Sequence, residues 1–163
     1  MTDPIDPRSV EAAHRDAVRR LDGAIVGLVG SVRRYYIQLA ENLHPGMLPG
    51  TAKLFTTIAR TGPTTLSALV EVLTADKGML SRQVSELEGL GLIARTPDPN
   101  DRRARLISIT AEGAQRLDEA RLPYEQRRAA ALAAWPTASI EQFADLLNAF
   151  ISSEPPGGDT RSA

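Results

Sequence analysis

The sequence predicts a mostly helical protein that carries one small β-hairpin, and three observations support this fold class. Apolar residues recur at three- and four-residue steps over most of the 163 residues, as they do on one face of an α-helix. The pairs Pro45-Gly46 and Pro49-Gly50 interrupt that periodicity. Between residues 92 and 109, two short runs that can pair flank the turn sequence Pro97-Asp-Pro-Asn-Asp101.

The first helix is predicted to run from Val10 to about Leu43. Its apolar residues recur at helical spacing, namely Val18, Leu21, Ile25, Leu28, Val32, Tyr36 and Leu39. The middle of this helix is apolar nearly all round, so a single neighbouring helix could not cover it. Gly23, Gly27 and Gly30 would let another helix come close. We therefore expect burial from several sides, as in an intertwined homodimer.

Two short helices are predicted next, over residues 52–60 and 66–73, and Thr61-Gly-Pro-Thr-Thr65 separates them. Their apolar residues are expected to pack beneath the helix that follows: Leu54, Ile58, Leu66, Leu69, Val70 and Leu73. These two helices therefore have a supporting role.

Two more helices are predicted after the hairpin. Thr110 can cap a helix that runs to about residue 134, and Pro123 predicts a bend or an interruption in it. Ser139 and Gln142 form a candidate capping box for a last helix over residues 140–151. The first and last helices have no evident partners in the middle of the chain, so they most simply pack on each other and on a second subunit.

The helix that starts near residue 77 has an apolar and a polar face. Leu80, Val84 and Leu87 repeat at i, i+4 and i+7, and we expect this stripe to face the core. Thr74 or Asp76 can serve as its N-cap. The outward side and its flanks carry small or polar residues, namely Lys77, Gly78, Ser81, Arg82, Gln83 and Ser85. Such a face suits the base edges of a DNA major groove.

The hairpin carries arginines at its tip. Gly89 and Gly91 can end the preceding helix, and Arg102 and Arg103 follow Asp101 in the turn. An arginine that a neighbouring carboxylate orients suits the narrow, electronegative minor groove. A helix sized for a major groove beside an arginine-tipped hairpin therefore predicts a protein that reads double-stranded DNA.

Charge balance bears on this prediction in two ways. The net charge of −1 argues mildly against a nucleic-acid partner. Residues 77–105, however, hold six cationic against four anionic side chains, a local excess of two positive charges. We expect the arginines on the DNA side and the carboxylates of Glu86 and Glu88 toward the rear edge of the helix.

The residues of this region resemble the multiple-antibiotic-resistance regulator (MarR) family of bacterial winged-helix transcription factors. The resemblance lies in four blocks, in this order: Asp76-Lys-Gly-Met-Leu-Ser-Arg82, Val84-Ser-Glu-Leu-Glu-Gly-Leu-Gly-Leu-Ile93, Arg95-Thr-Pro-Asp-Pro-Asn-Asp-Arg-Arg103 and Ile109-Thr-Ala-Glu-Gly113. It implies a homodimer with two winged helix-turn-helix lobes on a pseudo-palindromic operator, usually a repressor released by a small ligand. By position, Ser81 and Arg82 would touch the major groove, and Asp101 would brace Arg103, which enters the minor groove.

Four segments follow from these expectations. Residues 1–45 would form an N-terminal dimerisation helix, and residues 46–110 the winged helix-turn-helix DNA-binding domain. Residues 111–152 would form C-terminal dimerisation helices. Residues 153–163 are too polar and too rich in Pro and Gly to fold, and they are expected to be a flexible tail.

Several classes of protein are disfavoured. The chain has no Cys, which excludes disulfides and thiolate metal sites. No segment reaches the roughly 18 apolar residues of a membrane span, and the first residues lack the features of a signal peptide, so we expect a cytoplasmic protein. His14 and His44 do not have metal-ligand spacing, and no Gly-rich loop resembles a phosphate cradle. We expect no catalytic site, no metal and no cofactor.

The join between the first helix and the winged domain is a candidate effector site. Tyr35, Tyr36, His44 and Met47 fall near it in the sequence. The family resemblance implies that aromatic effectors bind there. The alternative is that these four are ordinary packing or surface residues.

A second functional class stays open. A winged helix can also dock onto protein, and the near-neutral net charge permits a protein-interaction module without sequence-specific DNA binding. Salt dependence separates the two, because DNA binding releases counterions and weakens steeply as salt rises.

Overall fold

The computed structural model describes residues 7–99, 101 and 104–153, and most of them are helical. The elements are α1 Pro7–Leu43, α2 Pro49–Thr61, β1 Thr64–Thr65, α3 Leu66–Leu73, α4 Lys77–Gly89, β2 Ile93–Pro97, β3 Arg105–Ile109, α5 Ala111–Leu132 and α6 Thr137–Ser152. The predicted fold class is confirmed. Apart from Ser153, the predicted tail lies outside the described residues.

The sheet has three antiparallel strands in the order β1-β3-β2. In the predicted hairpin, Ile93 lies opposite Ile109 and Pro97 opposite Arg105. The third strand was not predicted: Thr64 and Thr65, in the segment expected to be only a connection, pair with the other edge of β3. A segment of two residues is too short to show the alternation by which a strand is predicted. It is a strand only because it pairs with the exposed edge of β3.

The core is built around α2. Leu54, Phe55 and Ile58 of this helix are fully buried, and α4 packs its predicted stripe into the same core. The other buried apolar residues come from α2, α3, the sheet, α5, the end of α1 and the connections, namely Ala52, Leu69, Ile93, Ile107, Leu117, Ala120, Leu39, Ala40, Leu43, Met47 and Leu92. The expectation that the stripe of α4 faces the core is therefore confirmed.

The last turns of α1 correct one expectation. Leu39, Ala40 and Leu43 belong to the winged-domain core, and the Asn42 amide donates a hydrogen bond of 3.1 Å to the carbonyl of Ala120. The first helix therefore does have partners in the middle of the chain, because its apolar stripe continues to Leu43. Periodicity shows that a face is buried, but it does not show which neighbour buries it.

The described residues form two compact units that divide between Leu122 and Pro123. The second unit contains the end of α5 and all of α6, where Trp135 and Phe143 make an edge-to-face contact with ring centroids 6.4 Å apart. Helix α5 continues through Pro123, so the chain has no interruption there.

The predicted capping box of α6 is wrong. The helix begins at Thr137, earlier than expected, with Pro136 at the N-cap and no side-chain capping hydrogen bond. Ser139 and Gln142 therefore lie inside the helix rather than at its start. Pro136 has a fixed φ that leads the chain into the first turn, so the helix starts here without a polar cap.

Two glycines lie where the sheet joins α4 and α5. Gly91, with φ +73°, ends α4, and the Leu92 N–H donates to the Leu87 carbonyl at 3.0 Å, as in a Schellman motif. Thr110 caps α5 as predicted, since its hydroxyl accepts a hydrogen bond from the Gly113 N–H at 2.9 Å. A Cβ at Gly113 would overlap the Leu92 carbonyl oxygen and lie 2.9 Å from its carbonyl carbon.

Replacing Gly113 by Ala is expected to lower the free energy of unfolding by about 3 kcal/mol or more, since backbone atoms on both sides would have to move apart. The matched control is Gly89→Ala. A Cβ at Gly89 meets nothing within 4 Å, and Ala there favours the helix by up to about 1 kcal/mol. Urea unfolding followed by circular dichroism measures both, and equal effects of the two substitutions would show that the close approach at Gly113 is not a constraint.

Candidate nucleic-acid interface

The start of α4 is fixed by one side chain. The Asp76 carboxylate accepts a hydrogen bond of 2.7 Å from the Met79 N–H, so Asp76 is the N-cap of the two candidates. Thr74 instead ends α3 in the left-handed conformation, with φ 49°. The cap sets where the first turn of α4 begins and hence which residues it presents outward.

The outward face of α4 carries the residues predicted from the sequence. Lys77, Gly78, Arg82 and Ser85 are exposed, whereas Ser81 and Gln83 are partly buried. Arg82 has no ion-pair partner among the described residues. The first two turns of α4 therefore present two cations beside small residues, together with the exposed side chain of Met79.

Two of these residues also have contacts within the protein. The Gln83 amide nitrogen lies 3.1 Å from the position that a Cβ on Gly50 would occupy, so this side chain lies against α2. A Cβ on Gly78 would lie 3.2 Å from the capping oxygen of Asp76. This close contact with the capping side chain explains a glycine at position 78 without a bound ligand.

Ser85 is tied to the hairpin. Its hydroxyl donates a hydrogen bond of 3.1 Å to the Ser81 carbonyl and accepts one of 3.0 Å from the guanidinium of Arg95 on β2. The same guanidinium has its Nε 3.3 Å from the Glu88 carboxylate, within ion-pair distance but without a hydrogen bond of good geometry. One arginine thus connects two positions on α4 with the strand.

The carboxylates of α4 are both engaged inside the protein. Glu86 accepts a hydrogen bond of 3.2 Å from the hydroxyl of Thr51, which is fully buried on α2. Glu88 forms the ion pair with Arg95. As expected for glutamates at the rear edge of the helix, both are directed to neighbouring elements.

The tip of the hairpin is described only in part. The Asp98 N–H donates to the Ala104 carbonyl at 3.2 Å, and the Ala104 N–H donates to the Asp101 carbonyl at 2.9 Å. Asp101 is exposed. Arg102 and Arg103 lie outside the described residues, so their contacts and the bracing of Arg103 by Asp101 stay predictions.

A groove of about 290 Å³ lies between α3, α4 and the sheet. Its lining is Thr65, Leu66, Ser67, Lys77, Ser81, Val84, Arg95, Ala104, Arg105 and Ile107. These residues provide three cations and three hydroxyl groups and no carboxylate. Hydrogen-bond donors and positive charge in a concave surface are suited to a phosphate group.

Comparison with known proteins identifies the family. A sequence model of the MarR family matches residues 51–104, which run from α2 to the hairpin. The uncharacterized HTH-type transcriptional regulator YxaD of Bacillus subtilis is 31% identical over 115 residues, which cover 71% of this chain and 80% of that protein. The chain belongs to the MarR family.

Solved structures show the same fold as this MarR-family chain. A MarR family protein from Bacillus stearothermophilus superposes with a TM-score of 0.72 at 16% identity, covering 85% of this chain and 96% of that one. A mutant MarR from E. coli complexed with operator DNA has a TM-score of 0.60 at 23% identity, covering 83% and 96%. At these identities the likeness establishes the winged-helix fold.

A second cavity of the MarR-family chain lies between α1, α2, α3 and α5, with a volume of about 610 Å³. Its lining is Tyr35, Tyr36, Lys53, Thr56, Thr57, Ala59, Arg60, Val72, Leu73 and Arg121. The two tyrosines are half-buried and stack edge-to-face at 5.0 Å. His44 is exposed and Met47 is buried in the core, and neither of them lines this cavity.

Three cations of this cavity were not predicted. Lys53, Arg60 and Arg121 have no ion-pair partner within the part of the chain that the structure describes. Lys53 and Arg60 lie seven residues apart, about two turns of α2, so the sequence does place them on one face. Arg121 comes from a distant helix, and only the tertiary structure brings it to them.

The described residues contain neither a helix suited to cross a membrane nor a cluster of metal ligands. Within residues 7–99, 101 and 104–153, no helix has the length and apolar character that a membrane crossing requires. The same residues contain no group of three or more His, Cys, Asp or Glu side chains that could hold a metal ion.

Removing the cap of α4 by Asp76→Ala is expected to lower the free energy of unfolding by about 1 kcal/mol, because the Met79 N–H loses its acceptor. Asp76→Asn keeps an acceptor oxygen and should cost much less. Asp118→Ala, at an exposed position inside α5, is the control and should cost nothing. Urea unfolding measures all three, and a loss of equal size for Asn and Ala at position 76 would contradict the capping role.

Proposed function

We propose that this MarR-family chain is a dimeric, sequence-specific DNA-binding transcriptional regulator. The observation that carries the proposal is the cationic face of α4, which lies beside a groove lined by three hydroxyl groups and by Lys77 and Arg105, two cations that have no carboxylate partner among the described residues. The carboxylates of the same helix are engaged by Thr51 and Arg95. A phosphate backbone would therefore meet positive charge here although the whole chain is slightly acidic.

Each element has a distinct role in this proposal. The first half of α4, with Lys77, Gly78, Ser81 and Arg82, enters the major groove, where the Arg82 guanidinium can bind a guanine through two hydrogen bonds. Arg105 and Lys77 bind backbone phosphates from the groove. Arg102 and Arg103 at the tip reach the minor groove, with Asp101 as the brace for Arg103.

Exposed apolar residues support the dimer. Helix α1 leaves Val26 and Val29 exposed by 73% and 63%, and α6 leaves Phe143 and Ile151 exposed by 55% and 71%. Solvent-exposed apolar stripes of this extent usually mark an interface. Residues 1–45 and 111–152 would form it and hold two winged domains, residues 46–110, over the half-sites of a pseudo-palindromic operator, about 34 Å apart.

The second cavity supports relief of repression by a small effector. Tyrosine rings offer stacking surface to an aromatic ligand, and three cations that have no ion-pair partner among the described residues favour one that carries negative charge. The cavity joins α1 to the winged domain, so an occupant that prefers another separation of the lobes would reduce operator binding. The proposed regulator is accordingly a cytoplasmic repressor that an aromatic anion releases.

Arg82→Ala is expected to weaken operator binding by about 1–3 kcal/mol and to relax base preference, because a direct base contact is lost. Arg103→Ala should weaken binding with less effect on the major-groove bases. Selection of bound sequences from random DNA supplies the operator, and fluorescence anisotropy at several salt concentrations measures the affinities. The control is Arg116→Ala, an arginine on α5 that pairs with Glu112.

Two outcomes would contradict the assignment of DNA contacts. One is unchanged operator affinity in both variants. The other is an affinity that does not depend on salt, which would favour the alternative of a protein-interaction module.

The effector cavity is tested with a panel of phenolic and aromatic acids and their neutral amides. The acids should raise the unfolding temperature and the amides should not, because only the acids compensate the cations. Arg121→Gln and Tyr36→Ala should each weaken binding at least about tenfold, the loss of one charged or stacking contact. His44→Ala is the matched control and should bind as the parent chain does; equal binding by all variants would place the ligands elsewhere.

A further inference from the structure

We propose that Arg95 is a positioning residue that fixes the wing against α4, and that Ser85 receives it rather than contacting DNA. The inference deepens the proposed function and rests on it. It concerns three residues, Ser85 and Glu88 on α4 and Arg95 on β2, whose side chains meet at the junction of the helix and the wing.

The hydrogen-bonding capacity of Ser85 is the first argument. A serine hydroxyl has one proton, and that of Ser85 is directed to the Ser81 carbonyl at 3.1 Å. The Arg95 guanidinium donates to the Ser85 oxygen at 3.0 Å. A phosphate oxygen only accepts hydrogen bonds, so Ser85 could bind one only by giving up the Ser81 carbonyl. Although Ser85 is exposed, its hydroxyl already donates to Ser81 and accepts from Arg95.

The charge of Arg95 is the second argument. Its Nε lies 3.3 Å from the Glu88 carboxylate, and only 30% of its side chain is exposed. The pair is neutral as a unit, so it adds little to the field that attracts phosphates. Arg95 lines the groove beside Lys77 and Arg105, but those two cations have no carboxylate partner among the described residues.

The geometry of guanidinium is the third argument. Ser85 and Glu88 lie three residues apart on one face of α4, and the planar fork of Arg95 reaches both at once. An ammonium group is a point charge on a flexible stem and cannot hold both partners in a fixed plane. The chain between α4 and β2 is a short hydrogen-bonded turn that contains Gly91, and the Arg95 contacts add a second connection between the helix and the wing beyond that turn.

The test uses the full chain and the operator obtained by selection, with the variants Arg95→Met, Arg95→Lys, Ser85→Ala and the double variant Ser85→Ala/Arg95→Met. We expect Arg95→Met to lower affinity about five- to twentyfold, Ser85→Ala to lower it similarly, and the double variant to be no weaker than Arg95→Met. Lysine should not restore affinity. The slope of log affinity against log salt should stay the same in every variant, because no phosphate contact is removed.

Base preference gives a readout that a general loss of stability would not change. Without the brace, selected sequences should tolerate more than one spacing between the bases read by α4 and those read by the wing. The control is Arg116→Met, which breaks an ion pair of the same 3.3 Å length on α5 and should leave affinity and spacing unchanged. If the Arg95→Met variant does not fold, affinity and spacing are measured on Ser85→Ala, whose substitution lies at an exposed position.

Several outcomes would overturn the inference. A salt slope that falls by about 0.9 in Arg95→Met would identify Arg95 as a phosphate contact. Additive losses in the double variant would show that the two residues act independently, and rescue by lysine would show that the planar guanidinium is not required. Failure of the parent chain to select any DNA sequence would instead overturn the proposed function, so the two failures are distinguishable.

Discussion

Burial of one apolar stripe determines how this protein presents its functional surface. The stripe formed by Leu80, Val84 and Leu87 of α4 packs into the core around α2. In any other orientation of α4, these apolar side chains would be exposed to water. Each buried leucine contributes about 1.5–3 kcal/mol, which would be lost if α4 turned its apolar side to solvent. The cationic face with Lys77 and Arg82 is therefore outward because the opposite face is buried.

The ends of the elements convert this orientation into a rigid surface. Asp76 fixes the start of α4, and Gly91 ends it in a conformation that glycine adopts without strain. Gly113 lets the first turn of α5 approach the Leu92 carbonyl more closely than any other residue would allow. The sheet is thus held between two helices, and the wing projects from a fixed base.

Placement of charge explains how a slightly acidic chain can present a basic surface. The glutamates of α4 bind partners on α2 and β2, while Lys77 and Arg82 face outward. The charge of Glu88 is compensated by Arg95, so this carboxylate contributes little repulsion to an approaching phosphate. In the cavity beside Tyr35 and Tyr36, three cations that pair with no carboxylate in the described part of the chain line one concave surface.

Local periodicity in the sequence was enough to predict the helices, the hairpin, the buried stripe and the exposed residues of α4, but capping chemistry did not predict the start of α6. It could not assign the partner of each face, so the burial of Leu39 in the winged-domain core and the strand at Thr64 came only from the tertiary structure. Contacts between distant elements were equally beyond its reach, since Arg95 meets Glu88 and Arg121 approaches Lys53 only after the chain has folded. Periodicity indicates whether a side chain is buried or exposed, but the residues that it contacts depend on how the whole chain packs.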